Sequence, residues 1–510
     1  MKIAWNRQSL FAILLFLAAI YFPLFLHLDN LGLYRWDESR NAVHAFEMSQ
    51  NGDLIIRYFL SEPEVWETKP PLLTWLQAFF MRLLGYNELA VRLPSALAGL
   101  ATLLLILRFF YKEFKQLSAG IFSGLALVCS SGYISVHITR TGDHDSLLIF
   151  FLMLGLIHFY YYLKDGERAP KHLALCVLAL IGGVLSKSIT GLFFLPGFLI
   201  YALFQKQVIA ILTSRSFYVG LAGFLLAVGG YYLAREWRQP GYLEVVWGNE
   251  LFPRYANTAA GHDYNKAPRS FYYLRLLAED QFRHFLIWIP LCCLLLFWQR
   301  DTYLRQFTGL VLACLGTFLL IVSGGTTNTW YVAPALPPLA LLFGMGLALV
   351  YEILLEKLAI QGLWKKYLFS GVFVLSVFAW PYKSLMETQV YNPKYKDRIT
   401  QYGQFMAHLR ITRPELRQYF LYYGCRNAHT LFYWQVYTKI YGYQISACDT
   451  CQPLAQCEKK PSIGTQVVIC NPKILEKFQK DYSYQILDRH LGCWLLQVVE
   501  KQDEDLSQIE

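Results

Sequence analysis

Apolar residues in this chain gather into long runs instead of alternating with polar ones, and the runs are long enough to cross a bilayer. They lie near residues 9–29, 90–109, 118–137, 145–163, 173–186, 190–205, 217–234, 285–298, 306–323, 331–350 and 367–384. The pattern predicts a polytopic α-helical membrane protein with about eleven spans, and a range of 11–13 for the fold. Runs 173–186 and 190–205 are short for a full crossing and are expected to be extended or tilted. The first run follows Lys2 and Arg7, as a signal peptide would. No small-residue cleavage site follows it and further spans do, so it reads as an uncleaved first helix.

Between the runs, Lys and Arg recur in alternate loops: Arg108, Lys112 and Lys115; Lys164, Arg168 and Lys171; Lys206 and Arg215; Arg300 and Arg305; Lys357, Lys365 and Lys366. Such loops mark the cytoplasmic side. An odd number of spans then places the N-terminus inside, and segments 30–89, 235–284 and the tail from about 385 outside. The turns 138–144 and 324–330 share that outer side.

Within 30–89, Asp37 to Asn51 has helical spacing of apolar residues and ends at Asn51-Gly52, a stop signal. Pro70-Pro71 suits the first turn of a helix over Leu72–Leu84, closed by Gly85. Both helices are expected to lie along the membrane surface. The segment 235–284 is rich in Tyr, Trp, Arg and Asn, as an interfacial loop would be. Past Tyr391 the composition turns soluble. Helices are expected at Ile399–Leu409 and Ile474–Asp481, and strands at Tyr419–Tyr423, Gln466–Cys470 and Cys493–Val499. The expected division is a membrane domain over 1–384 and a small α/β domain over 385–510.

Composition agrees: the chain is 55% hydrophobic and 16% charged, against about 25% charged in soluble domains. The net charge of +10 is spread over the loops, so it reads as topology and gives no nucleic-acid surface. Of the cysteines, Cys129, Cys176, Cys292, Cys293 and Cys314 lie in apolar runs. Cys425, Cys448, Cys451, Cys457, Cys470 and Cys493 lie in the outward tail, where disulfides are expected, with pairing open.

The chemistry-bearing residues stand at the outer ends of the spans. Asp37 and Glu38 follow the first, Asp143 and Asp145 open the fourth, and Lys69 and Lys187 are isolated cations nearby. Ionisable groups at such depths are expensive and are functional unless paired. Acids and cations together suit a lipid-phosphate donor: cations hold the phosphate while a carboxylate takes a proton from the acceptor. Blander roles compete. Asp37 or Asp145 could cap a helix, Lys69 could snorkel, and Arg92 could pair with Glu88 along a helix face.

The order of Trp36-Asp37-Glu38, Gly52-Asp53, Lys69-Pro70-Pro71, Val91-Arg92-Leu93-Pro94, Asp145-Ser146-Leu147-Leu148, Leu185-Ser186-Lys187 and Tyr331-Val332-Ala333-Pro334 resembles the polyprenyl-phosphate-sugar glycosyltransferases. That family comprises the aminoarabinose transferases of lipid A and the protein O-mannosyltransferase-like proteins. The resemblance covers about residues 30–345. It implies a GT-C membrane fold, an undecaprenyl-phosphate sugar donor, and inverting transfer outside the membrane that is metal-independent or loosely metal-assisted. It implies Asp37 as catalytic carboxylate, Asp145 as a second essential acid, and Lys69 at the donor phosphate. Glu38, Asp143, Lys187, Arg92 and Tyr331 are the other candidate substrate-binding residues. Glu67 and His262 are candidate ligands of a divalent metal; no other cofactor is expected. The chain departs from the family at Thr68, where the aminoarabinose transferases carry Glu, and at Ser188, where the family has Gly.

The expected function is transfer of a sugar from a polyprenyl phosphate to a periplasmic-side acceptor, lipid A first and protein second, in a bacterial inner membrane. A polyprenol-linked sugar flippase is the reading from another class. It would require charges buried mid-span and related halves, whereas here the acids cluster at one face.

Overall fold

A computed structural model describes residues 7–165, 170–251, 269–324, 327–392, 401–424, 428–449 and 460–502. Each of the eleven apolar runs falls on a helix. These are α1 (Arg7–Phe25), α4 (Glu88–Glu113), α5 (Leu117–Val128), α6 (Asp145–Asp165), α7 (Pro170–Leu192), α8 (Leu195–Phe204), α9 (Arg215–Arg238), α10 (Leu286–Trp298), α11 (Thr302–Ser323), α12 (Thr329–Lys357) and α13 (Leu363–Tyr391). Between α1 and α4 come α2 (Asp37–Asn51) and α3 (Leu72–Leu84). Among the described residues seven helices are long and apolar enough to cross a bilayer. An eighth is counted if α10 and Phe271–Gln281, bent by 117°, form one span. The chain is a multi-pass membrane protein.

Local chemistry sets the helix ends. Asn87 Oδ1 accepts the Ala90 N–H at 2.9 Å and starts α4, and Asp301 Oδ1 accepts from Tyr303 and Leu304 to start α11. Gly52, at φ +74°, closes α2 with its N–H on Met48 O, as Asn51-Gly52 predicts. Packing then draws the spans together. A Cβ on Gly344 of α12 would sit 2.3 Å from the Ser123 backbone nitrogen on α5, the close approach that small residues permit between membrane helices.

One predicted span is cut short. Helix α5 stops at Val128, and residues 129–144 form an irregular segment. The run extends to 137 because its residues are mostly apolar. Yet Ser130 donates its hydroxyl to Ala126 O at 2.7 Å, and the segment carries His137. Irregular backbone at such a depth is tolerated where protein covers it or a cavity lies beside it.

Helix α2 is also covered by protein. Its residues Ala42, Val43, Ala45 and Phe46 are fully buried in a core shared with Ala78 and Met81 of α3, Ala90 and Val91 of α4, and the C-terminal region. Helix α3 keeps Phe79 and Leu83 exposed.

The C-terminal region contains α14 (Tyr402–Thr412), α15 (Ala428–Gln435) and α16 (Pro472–Asp481). Its five strands are β1 (Gln418–Tyr423), β2 (Gln444–Asp449), β3 (Gln466–Ile469), β4 (Tyr482–His490) and β5 (Cys493–Lys501). Their order is β2-β1-β3-β5-β4, with β1 parallel to β2 and β3, and β5 antiparallel to β3 and β4. The central register aligns Leu421 with Ala447 and Val468, and Val468 with Leu495. Cys470 and Cys493 form a disulfide, and Cys448 is disulfide-bonded to a partner outside the described residues. Tyr433 on α15 ties this region to the membrane part: its hydroxyl accepts the Leu33 N–H at 3.0 Å and donates to Glu88 at 2.6 Å.

Candidate active site

Five chain segments meet at a cavity of about 350 Å³, lined by Tyr34, Trp36 and Asp37, by Lys69, by His137 and Asp143 to Asp145, by Lys187, and by Asn328, Trp330 and Tyr331. Of the expected site residues, Asp37, Asp145, Lys69, Asp143, Lys187 and Tyr331 share this space.

Asp37 opens α2, but Trp36 occupies the cap position and no side-chain cap is made. Capping therefore does not account for Asp37. Its side chain is 43% exposed, the most open of the three acids, and its Oδ2 lies 3.7 Å from His137 Nδ1. Trp36 holds φ +75° and His137 φ +67°, left-handed values that cost non-glycine residues energy and cluster at functional sites. Trp330 stacks on His137 with ring centroids 3.9 Å apart, and Tyr34 meets the ring edge-on.

Asp143 is buried. It accepts the Thr141 hydroxyl at 2.5 Å and lies 3.6 Å from His137 Nδ1. Burial alone would lower the His137 pKa, but the carboxylates of Asp143 and Asp37 outweigh it and hold it above the ordinary value. Burial would conversely raise Asp143, and the His137 charge with the Thr141 hydrogen bond holds it below the usual range.

Lys187 donates to both Asp145 oxygens at 2.6 Å and lies 5.3 Å from the Tyr331 ring centroid. The second expected acid is thus neutralised by an expected phosphate cation, and the two act as one buried pair. Lys69 stands on a separate segment. Its Nζ is 4.0 Å from Glu67, and its carbonyl accepts from Arg57. Tyr242 donates to Thr68 O at 2.8 Å, so the backbone carrying Lys69 is held from two sides.

Glu38 and Arg92 were expected at the substrate, but they lie behind the cavity as a scaffold. Arg92 Nε donates to Glu38 Oε1 at 2.7 Å, and its other nitrogens reach the carbonyls of Leu28, Leu31 and Gly32. Glu38 also accepts the backbone N–H groups of Tyr34 and Gly142 at 2.5 and 2.9 Å. Both side chains are buried and saturated, which explains their place in the motif without a ligand. The Gly142 carbonyl takes further bonds from Asn41 and Gln77. A Cβ at Gly142 would sit 2.6 Å from Gln77 Nε2 and 2.7 Å from Val91 O, so this turn admits only glycine.

Of the expected metal pair, only Glu67 is among the described residues. His262 lies outside the described residues. Glu67 is buried against Arg57 and Lys69. Burial would raise its pKa, but those two cations outweigh burial and hold it well below the carboxylate range. One ligand atom each from Asp37, His137 and Asp143 instead lies within 4.8 Å of the others, a carboxylate–imidazole set of the kind that suits a divalent ion.

Sequence reasoning missed His137, His144, Trp330, Tyr34, Trp36 and Asn328 as lining residues. A histidine inside an apparent span was the available signal for His137; His144 stood between two acids already singled out.

The family model described as dolichyl-phosphate-mannose-protein mannosyltransferase matches residues 68–231. The undecaprenyl phosphate-alpha-4-amino-4-deoxy-L-arabinose arabinosyl transferase 2 of Pseudomonas fluorescens is 28% identical over 354 residues, 66% of this chain and 58% of that relative. The corresponding transferase of Aeromonas salmonicida is 28% identical over 375 residues, 71% of this chain and 64% of that relative. The chain thus spans less than two thirds of the length of these relatives. ArnT from Cupriavidus metallidurans bound to undecaprenyl phosphate superimposes with a TM-score of 0.68 at 16% identity, covering 96% of this chain and 98% of that one. The fold is that of the GT-C glycosyltransferases.

Proposed function

We propose that the chain is an inverting glycosyltransferase that moves a sugar from undecaprenyl phosphate, or a similar polyprenyl phosphate, to a periplasmic-side acceptor, most directly lipid A. The observation that carries the reading is the pairing in one cavity of an open carboxylate, Asp37, with a cation on another segment, Lys69. An acceptor hydroxyl attacks the anomeric carbon and passes its proton to Asp37. The anomeric carbon–oxygen bond breaks, and the polyprenyl phosphate leaves with that electron pair beside Lys69. A single displacement inverts the anomeric centre without a glycosyl-enzyme intermediate. Lys187 and Asp145 form the wall of the donor site as a charge-balanced pair. Asp37, His137 and Asp143 would be the residues to hold a divalent cation, which would supply positive charge to the site.

The proposed setting is a bacterial inner membrane, with the N-terminus cytoplasmic and the region from about 385 folded as a periplasmic domain on the membrane domain 1–384. Asp37→Asn is expected to lower transfer at least about 100-fold, the usual scale of a lost general base, with expression and membrane insertion unchanged. Near wild-type turnover would remove the catalytic assignment. Lys69→Ala is expected to weaken donor binding more than thermal stability, and equal donor affinity in a direct assay would refute phosphate recognition.

The match of residues 68–231 to a protein mannosyltransferase family favours protein as the second acceptor. Label from the donor partitions with lipid A in the first reading and with protein in the second. Product formed by purified protein in detergent, without vesicles, separates transfer from transport.

A further inference from the structure

His144 lies between Asp143 and Asp145, lines the cavity and is 2% exposed. Neither of its ring nitrogens has a hydrogen-bond partner among the described residues. Buried polar groups are nearly always satisfied, and the cavity that His144 lines is where a partner for this buried imidazole can come from. We propose that His144 is a sugar-reading residue: it hydrogen-bonds a hydroxyl of the transferred sugar and thereby contributes to the choice of donor.

The inference rests on the donor reading above and assigns the ligand group by hydrogen-bonding capacity. A phosphate oxygen needs donors, and the Lys69 ammonium offers only donors. Ionised Asp37 offers only acceptors. A sugar hydroxyl is donor and acceptor at once, and an imidazole with both nitrogens unused can meet either need. The backbone that carries the ring is held on either side. The carbonyl of Asp143, just before it, accepts from Ser95 at 2.8 Å, and the hydroxyl of Ser146, two residues after it, donates to Ile138 O at 2.8 Å. A buried group of this kind discriminates strongly, because a ligand lacking the matching hydroxyl leaves it unpaired.

The test compares two probes on purified full-length protein in detergent: undecaprenyl phosphate, and undecaprenyl phosphate carrying mannose or 4-amino-4-deoxy-arabinose. In the wild type the sugar is expected to tighten binding over the bare phosphate for at least one probe. His144→Ala is expected to reduce that gain about tenfold, the scale of one buried hydrogen bond, with affinity for the bare phosphate unchanged. His144→Gln, which keeps a donor and an acceptor, is expected to recover part of the gain. Thermal unfolding of each variant confirms that it is folded. A sugar-dependent gain undiminished in His144→Ala overturns the proposal, and so does an equal loss for both probes, which would assign His144 to the phosphate. Wild-type protein that binds the phosphate but gains nothing from either sugar overturns it by a different route, since that result strikes the donor reading itself.

Discussion

Arg92 spends all of its hydrogen-bonding capacity on Glu38 and on three carbonyls of the segment that leads into Asp37. Removing one partner of a buried pair leaves the other charge stranded, which costs about 3–5 kcal/mol, whereas replacing both by apolar groups is far milder. Arg92→Ala is therefore expected to destabilise the protein by about that amount, as read by denaturant unfolding in detergent. Here Arg92→Met combined with Glu38→Leu is expected to cost no less, because the carbonyls of Leu28, Leu31 and Gly32 and the N–H groups of Tyr34 and Gly142 then lose their partners. His137 and Asp143 give a pH signature. The raised His137 pKa contributes stability below the unfolded imidazole value that is lost as pH rises through the folded one. The lowered Asp143 pKa contributes stability above the unfolded carboxylate value that is lost on acidification. The pair is expected to stabilise most between about pH 4 and about pH 6.5, and His137→Gln to flatten the thermal-stability profile across that window. At this scale the acids and lysines of the site were legible, because a charge beside an apolar run is conspicuous. The scaffold role of Arg92 and Glu38 was not, because their partnership spans 54 residues and no local spacing announces it.

Among the elements, long spans and the two helices of the first outer loop were legible from apolar periodicity and from Gly52 and Pro70-Pro71. Strands β2 and β4 were missed because they are the two edges of the sheet. An edge strand such as Tyr482–His490, with exposed Gln485, Arg489 and His490, need not show a buried apolar run. The burial of α2 was missed for a related reason: its cover comes from α15, nearly 400 residues further on. Tyr433 carries that contact. Tyr433→Phe leaves the Leu33 N–H and Glu88 without a partner and is expected to cost about 1–3 kcal/mol, with a fall in kcat because the displaced segment leads into Asp37. Turnover and thermal unfolding measured together check both parts.

For the whole molecule, charge and cavity lie at opposite ends of the same helices. Asp143 and Asp145 stand at the start of α6, while Lys164 stands at its far end, paired with Glu113 at the end of α4. A helix of this length spans about 30 Å, the thickness of the hydrocarbon layer. The basic ends mark the cytoplasmic face, so the cavity belongs to the outer leaflet in the proposed orientation. An alkaline phosphatase fused after residue 510 is expected to be active, and one fused within 206–215 inactive; the reverse pattern would invert the topology.

The seating of α2 against α15 also bears on biogenesis. Asp37 is made well before the surface that completes its helix, because α15 lies nearly 400 residues further along the chain. A chain terminated before α15 would be an inert occupant of the membrane, and competence would arrive only once α15 has been made.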